Sequence, residues 1–388
     1  MAGGSRRPGP RPGPDRPRIS GRLHGFPSRP APYATGGAGR DGCFDDVGGR
    51  AGGLERLESR QNLIFDLHAH YLSPSVPARA AAGDLPVRYD LTSRRLGFPS
   101  GSSRPVPAAL IDLADRRRWM KDREIRRQML SPWMDITGDD LPGREAEQWC
   151  RALNDGTAAD IGDDESFLAL AALPVVDGRR AGQELRRCVT EKGFKGGALP
   201  TQINGTDLDK AGLDPLWETA ESLGAILFIH PFRVMGADRM QSHFLGNVCG
   251  NPFETTLAAL RLYFGGIFAR WPRLKILLAH GGGALPYLAG RAVHASKNAP
   301  GFDRVVEHPD AILGAFYYDT LLHDPRALGH LIATVGADRV AAGTDYPFPM
   351  SLDDPIAHIK QAVGSGEGED DHLLDKVFQG TAESLGGC

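Results

Sequence analysis

The sequence predicts a (β/α)8 barrel. Eight short apolar runs recur between residues 62 and 347, and segments of helical period separate them. Four of the runs end on His or Asp, where a barrel of this kind carries its reactive groups. Alternating strands and helices imply parallel pairing through right-handed crossovers. A doubly wound open sheet is the alternative, but no glycine-rich dinucleotide loop follows the first run.

Taken in order, the expected strands begin with NLIFDLHAH (62–70), IRRQMLSP (125–132), FLALAALPV (167–175) and FKGGALP (194–200). AILFIHP (225–231), LKILLAHG (274–281), AFYYDTL (315–321) and RVAAGTDYP (339–347) follow. Between them, AEQWCRALNDGTAADI (146–161) and GRRAGQELRRCVTEKG (178–193) are amphipathic, the second with a Gly stop. DPLWETAESLG (214–224), NPFETTLAALRLYFGGIFARWP (251–272) and DPRALGHLIATVG (324–336) each open on Asp or Asn followed by Pro, a helix-start signature. Residues 71–124 form an unusually long connection that needs structure of its own. It contains SRPVPAALIDLADRRRWM (103–120), read as a loop entering a helix, and is expected to cover the barrel mouth.

Composition bounds the function. The 388 residues are 41% hydrophobic and 24% charged, ordinary for a globular chain, and a net charge of −3 disfavours nucleic acid as a partner. Residues 1–60 hold 11 Arg, 14 Gly and eight Pro. Such a stretch buries too little apolar surface to order itself, so it is expected to be a disordered Gly/Pro/Arg-rich extension to a barrel domain spanning 61–388. No run reaches the roughly 18 apolar residues that span a membrane. The five cysteines (Cys43, Cys150, Cys188, Cys249 and Cys388) are scattered without a CxxC pair, which fits a reducing cytoplasm.

The chemistry lies in the histidines. With 12 His in 388 residues, chance alone gives about 0.4 HxH pairs, so the DLHAH pair is weak by itself. Its placement changes that. Residues i and i+2 of a strand share a face, so His68 and His70 can point into the barrel together. His230 ends the fifth run, His280 the sixth and Asp345 the eighth. Imidazoles plus a carboxylate suit zinc and its divalent neighbours. His68, His70, His230 and Asp345 make a four-ligand set, with His280 a fifth ligand or a nearby general base.

The order HxH, HP, AHGGG and GTDYPF resembles the amidohydrolase superfamily. It is most similar to the branch of aminocarboxymuconate-semialdehyde decarboxylase and related non-oxidative decarboxylases. The resemblance runs from about Asn62 to the C-terminus. It implies one divalent metal, usually zinc, with manganese also possible, on His68, His70, His230 and Asp345, and no organic cofactor. It implies a proton-transfer role at the metal for His280. Arg104 in SRPV would bind a substrate carboxylate, and Arg291 in LAGR would reach the site of a second subunit in a homodimer. Phe348 would line the pocket, and His243 would stand where the family has a pocket tryptophan. The approach to Arg104, GFPSGSSRPV, lacks the family's basic residue, so the pocket is expected to differ in shape and charge.

These readings converge on metal-dependent decarboxylation of a small unsaturated or aromatic acid. The same ligands would also serve a hydrolase or hydratase acting on a lactone, amide or conjugated acid. A non-catalytic barrel that binds without turnover is the third reading, and it predicts no stoichiometric metal.

Overall fold

The computed structural model describes residues 64–364 and 369–386. Its central feature is a parallel sheet of eight strands arranged in chain order. They are β1 (Ile64–Tyr71), β2 (Ile125–Pro132), β3 (Phe167–Ala172), β4 (Gly196–Pro200), β5 (Ile226–His230), β6 (Lys275–Leu278), β7 (Tyr317–Asp319) and β8 (Val340–Ala341). The sheet closes on itself. The Leu67 amide donates to Ala342 O at 2.8 Å and the His70 amide to Tyr346 O at 2.8 Å, with a parallel bridge between Ala69 and Tyr346. The predicted (β/α)8 architecture is therefore present. The extension expected over residues 1–60 lies outside the described residues.

Helices α1 (Ser75–Ala82), α2 (Leu113–Lys121), α3 (Gly143–Ile161), α4 (Gly178–Lys192), α5 (Asp214–Leu223), α6 (Asn251–Phe264), α7 (Leu285–Asn298), α8 (Pro325–Val335) and α9 (Pro355–Val363) join and cover the strands. Their ends follow local chemistry. Asp177 caps α4 by accepting from the amides of Arg179 and Arg180, and Gly193 ends it in a left-handed conformation. The long helix expected over 251–272 is broken, since Gly266 turns left-handed before a short helix at Ile267–Arg270. The insertion carries α1, α2 and a three-stranded antiparallel sheet (Arg88–Asp90, Arg95–Phe98, Gly101–Ser102).

Two-residue alternation sorts the strand side chains into two cores. Phe65, Leu67, Met129, Leu170, Ala198, Ile226, Phe228 and Leu277 cluster inside the barrel. Ile64, Leu130, Ala171, Leu199, Leu227 and Leu278 pack outward with the helices. Burying one side chain such as Phe228 stabilises the barrel by about 1.5–3 kcal/mol. The alternation also aims His230, which follows the inward residues Ile226 and Phe228 by the same two-residue step.

On β1 the alternation alone would fail. Phe65 and Leu67 face inward, so His68 and His70 would face out. A register shift between Asp66 and Ala69 resolves this. It re-aims the strand end, as a β-bulge does, and the His68 ring packs 4.9 Å from the Phe228 ring.

Candidate active site

Two predicted strand ends are turns instead. β6 stops at Leu278 and β8 at Ala341, so His280 and Asp345 sit beyond their strands. Both adopt left-handed backbone, with φ of 57° and 59°. Non-glycine residues rarely do so, and such conformations concentrate at functional sites. The glycines after His280 have a packing reason. A Cβ on Gly282 would meet Tyr318 at 2.6 Å, and one on Gly283 would meet the Pro252 carbonyl at 2.0 Å.

Four side chains converge at the C-terminal mouth. One ligand atom from each of His68, His70, His230 and Asp345 lies within 4.8 Å of the others. Their environments fix the imidazole tautomers. His68 Nδ1 lies 2.6 Å from Asp319 Oδ2, His70 Nδ1 lies 3.2 Å from Pro132 O, and His230 Nδ1 lies 3.0 Å from Pro231 O. Carboxylates and carbonyls only accept, so each Nδ1 carries the proton and each Nε2 presents a lone pair. Those three Nε2 atoms and Asp345 Oδ1 are buried without hydrogen-bond partners. Orphaned atoms of this kind are unfavourable unless a ligand satisfies them. Three imidazole nitrogens and a carboxylate oxygen are the donors a divalent transition ion takes. The residues present therefore fit one divalent ion.

The electrostatics agree. Burial, reinforced by the neighbouring His70, His280 and His68, holds His230 well below its ordinary range. Burial also lowers His70. A histidine that gives its lone pair to an ion must be neutral, and of the three only His68 is driven the other way. Burial acts downward there too, but Asp319 and Asp345 outweigh it and raise His68 to about 10. Two carboxylates around one imidazole favour positive charge at this point, which a divalent ion would supply. Opposing burial, His68 and His70 hold the Asp345 carboxyl well below its usual range.

His280 stands beside the group. Its ring lies 5.1 Å from that of His230 and 5.4 Å from that of His68, and its Nδ1 is buried without a partner. It lies outside the four converging ligands. Burial and then His68 lower its pKa to about 4, leaving it a neutral base.

A cavity of about 530 Å³ opens onto His230 and Asp345, and Arg104, Trp133, Asp135, Phe232, Arg233, Phe244 and Phe348 line it. Arg104 is gripped at two points by Asp135, Nε to Oδ2 and Nη2 to Oδ1, each at 2.8 Å. Its guanidinium also lies 5.3 Å from the Trp133 ring and 5.6 Å from that of Phe348. The Phe348 ring sits 5.2 Å from His70. His243 and Phe244 are both exposed, with left-handed φ of 56° and 57°, and of the two it is Phe244 that borders the cavity. Arg291 is exposed on α7, away from this cavity.

Sequence reasoning also missed supporting residues. Asp319 accepts from His68 Nδ1 and from the amides of His280 (2.9 Å), Gly281 (2.7 Å) and Leu321 (3.1 Å). Its position at the end of the seventh expected strand was the available signal. Asp135, Trp133 and Arg233 had none, since they become neighbours of the site only through loop geometry.

The fold and site define a (β/α)8 barrel with three histidines and one aspartate gathered at its C-terminal mouth. The Amidohydrolase family model matches residues 65–385, and the chain belongs to that family. It is 40% identical over 210 residues to 2-amino-3-carboxymuconate-6-semialdehyde decarboxylase of Dictyostelium discoideum, covering 53% of this chain and 58% of that relative. The match thus spans little over half of that relative's length. It is 32% identical over 258 residues to gamma-resorcylate decarboxylase of Polaromonas sp. (strain JS666), covering 62% of this chain and 78% of the relative. Among solved structures, dihydroxybenzoic acid decarboxylase of Polaromonas sp. JS666, with bound manganese and the inhibitor 2-nitroresorcinol, aligns with a TM-score of 0.67 at 27% identity, over 84% of this chain and 96% of that one. Among the described residues, no helix is long and apolar enough to cross a membrane.

Proposed function

We propose that the protein is a metal-dependent, non-oxidative decarboxylase of a small aromatic or unsaturated carboxylic acid. The convergence of three Nε2 lone pairs and Asp345 Oδ1 beneath an Arg-bearing cavity carries this reading. His68, His70, His230 and Asp345 would hold one divalent ion, zinc first and manganese as the alternative, with no organic cofactor. When bound, that ion supplies Lewis-acid charge that stabilises electron density left as CO2 departs.

The chain's own residues do the rest. Arg104, held in place by Asp135, presents its guanidinium to the substrate carboxylate in a geometry Lys does not reproduce. Trp133, Phe244 and Phe348 form the apolar walls suited to a flat, unsaturated ring or diene. The bond between carbon and carboxylate breaks, its electron pair stays on carbon, and a proton takes its place. His280 is neutral and beside the group, so it can take a proton from a water molecule in the cavity and deliver it to that carbon. Arg291, exposed on α7, would serve the site of a second copy in a homodimer. The scattered cysteines, of which Cys150, Cys188 and Cys249 are free, accord with a cytoplasmic setting.

The test is to incubate metal-replete protein with a panel of muconate-like and hydroxybenzoate-like acids, following CO2 release together with ring or ester opening. Stoichiometric CO2 is expected. Water addition or hydrolysis without CO2 assigns the site to the hydrolase or hydratase reading.

A further inference from the structure

Arg116 is fully buried on α2, within the insertion. No carboxylate forms an ion pair with it among the described residues. Burying a cation that way is unfavourable, so its contacts must compensate. Its Nη1 donates to Gln128 Oε1 at 2.6 Å and its Nη2 to the His70 carbonyl. The guanidinium also lies 4.6 Å from the ring of Tyr346, the residue after Asp345.

Gln128 continues the chain of contacts. Its Nε2 donates to Asp66 Oδ2 at 2.7 Å. Asp66, also fully buried, accepts from the His68 amide at 3.0 Å, the Thr344 amide at 3.0 Å and the Thr344 hydroxyl. A buried cation and a buried anion are thus joined through one amide. Every other contact named here falls on a residue that is, or adjoins, His68, His70 or Asp345. Asp66 lies between the inward residues Phe65 and Leu67, so this chain runs along the outer side of the barrel wall. None of its members lines the cavity.

We propose that Arg116, acting through Gln128 and Asp66, is a positioning residue. It sets the spacing between the bulged end of β1 and the Asp345 turn, and it ties the insertion that carries Arg104 to that spacing. The inference rests on the reading of His68, His70, His230 and Asp345 as a metal group.

The experiment uses the full chain stripped of metal by a chelator and titrated with Co2+, read by visible absorption. Wild type should take up one ion with a tetrahedral or five-coordinate spectrum, and failure of that control would overturn the metal reading itself. Arg116→Met should lower Co2+ affinity by about 10- to 100-fold and alter the spectrum, as loss of supporting contacts around ligands does. Arg116→Lys, which keeps the charge and one donor, should recover part of the affinity. Gln128→Met cuts the same chain while leaving the bond to the His70 carbonyl, and serves if Arg116→Met does not fold. The double variant should cost little more than the worse single one. Variants that melt earlier yet bind Co2+ with unchanged affinity and spectrum would overturn the inference, leaving Arg116 a packing residue.

Discussion

Asp319→Asn is the sharpest probe of the site. Asp319 is completely buried, and its two oxygens divide four donors between them. Oδ1 takes the amides of Gly281 and Leu321, and Oδ2 takes the His280 amide and His68 Nδ1. An amide that keeps its carbonyl toward Gly281 and Leu321 turns its NH2 toward His68. His68 Nδ1 must then accept, its proton moves to Nε2, and Nε2 loses the lone pair aimed at the metal position. The native contact is charge-assisted and short, worth about 1.5–3 kcal/mol. At about 1.4 kcal/mol per tenfold, that predicts roughly 10- to 100-fold weaker metal binding. Competition with a chromophoric chelator, using Zn2+ and Mn2+ in turn, measures it. An affinity within about threefold of wild type, with the fold intact, would refute the tautomer argument.

The other expectations concern the base, the metal, the cavity and pH. His280→Gln should lower turnover by about 10²- to 10⁴-fold while one ion per chain remains by elemental analysis. Chelation should lower the melting temperature, and returned Mn2+ or Zn2+ should restore it in a concentration-dependent way, by about 2.7 kcal/mol at a hundred times Kd. An unmoved melt would remove the ion from the folded state. Arg104→Lys keeps the charge but loses the two-point grip of Asp135, so KM should rise about tenfold with kcat nearly unchanged. Burial lowers His358 below its ordinary 6.5. The unfolded chain therefore takes up that proton first, and stability falls as pH drops through 6.5. Melts of His358→Gln from about pH 7.5 to about pH 5 should show a shallower loss than wild type.

Much of this was legible in the sequence because it depends on periodicity. The two-residue step put His68 and His70 on one face, and the HP, AHGGG and GTDYPF segments marked where strands end. The phase of β1 was not legible. Period-two reasoning pairs His68 with His70 but cannot say which face they share, and the register shift decides that. His280 and Asp345 were placed on strands, whereas left-handed turns present them. That Phe244 borders the cavity was not legible either, since a turn has no period to read. Asp135 and Arg116 became visible only when distant segments met, because nothing local distinguishes an acid or base that will find a buried partner.

The seam between β1 and the segment after β8 has a consequence for the chain's history. Asp66 and Thr344, 278 positions apart, meet there, and so do His68, His70 and Asp345, three of the four residues proposed to hold the ion. A chain emerging from the ribosome cannot assemble the site until its final strand is made. With every earlier strand complete, the cation position still does not exist. An ion captured across this seam would staple the two ends of the ring, opposing the separation of first and last strands that any unzipping of the barrel requires. Maturation and resistance to unfolding would then be controlled at one point, the place where the ring of strands is joined.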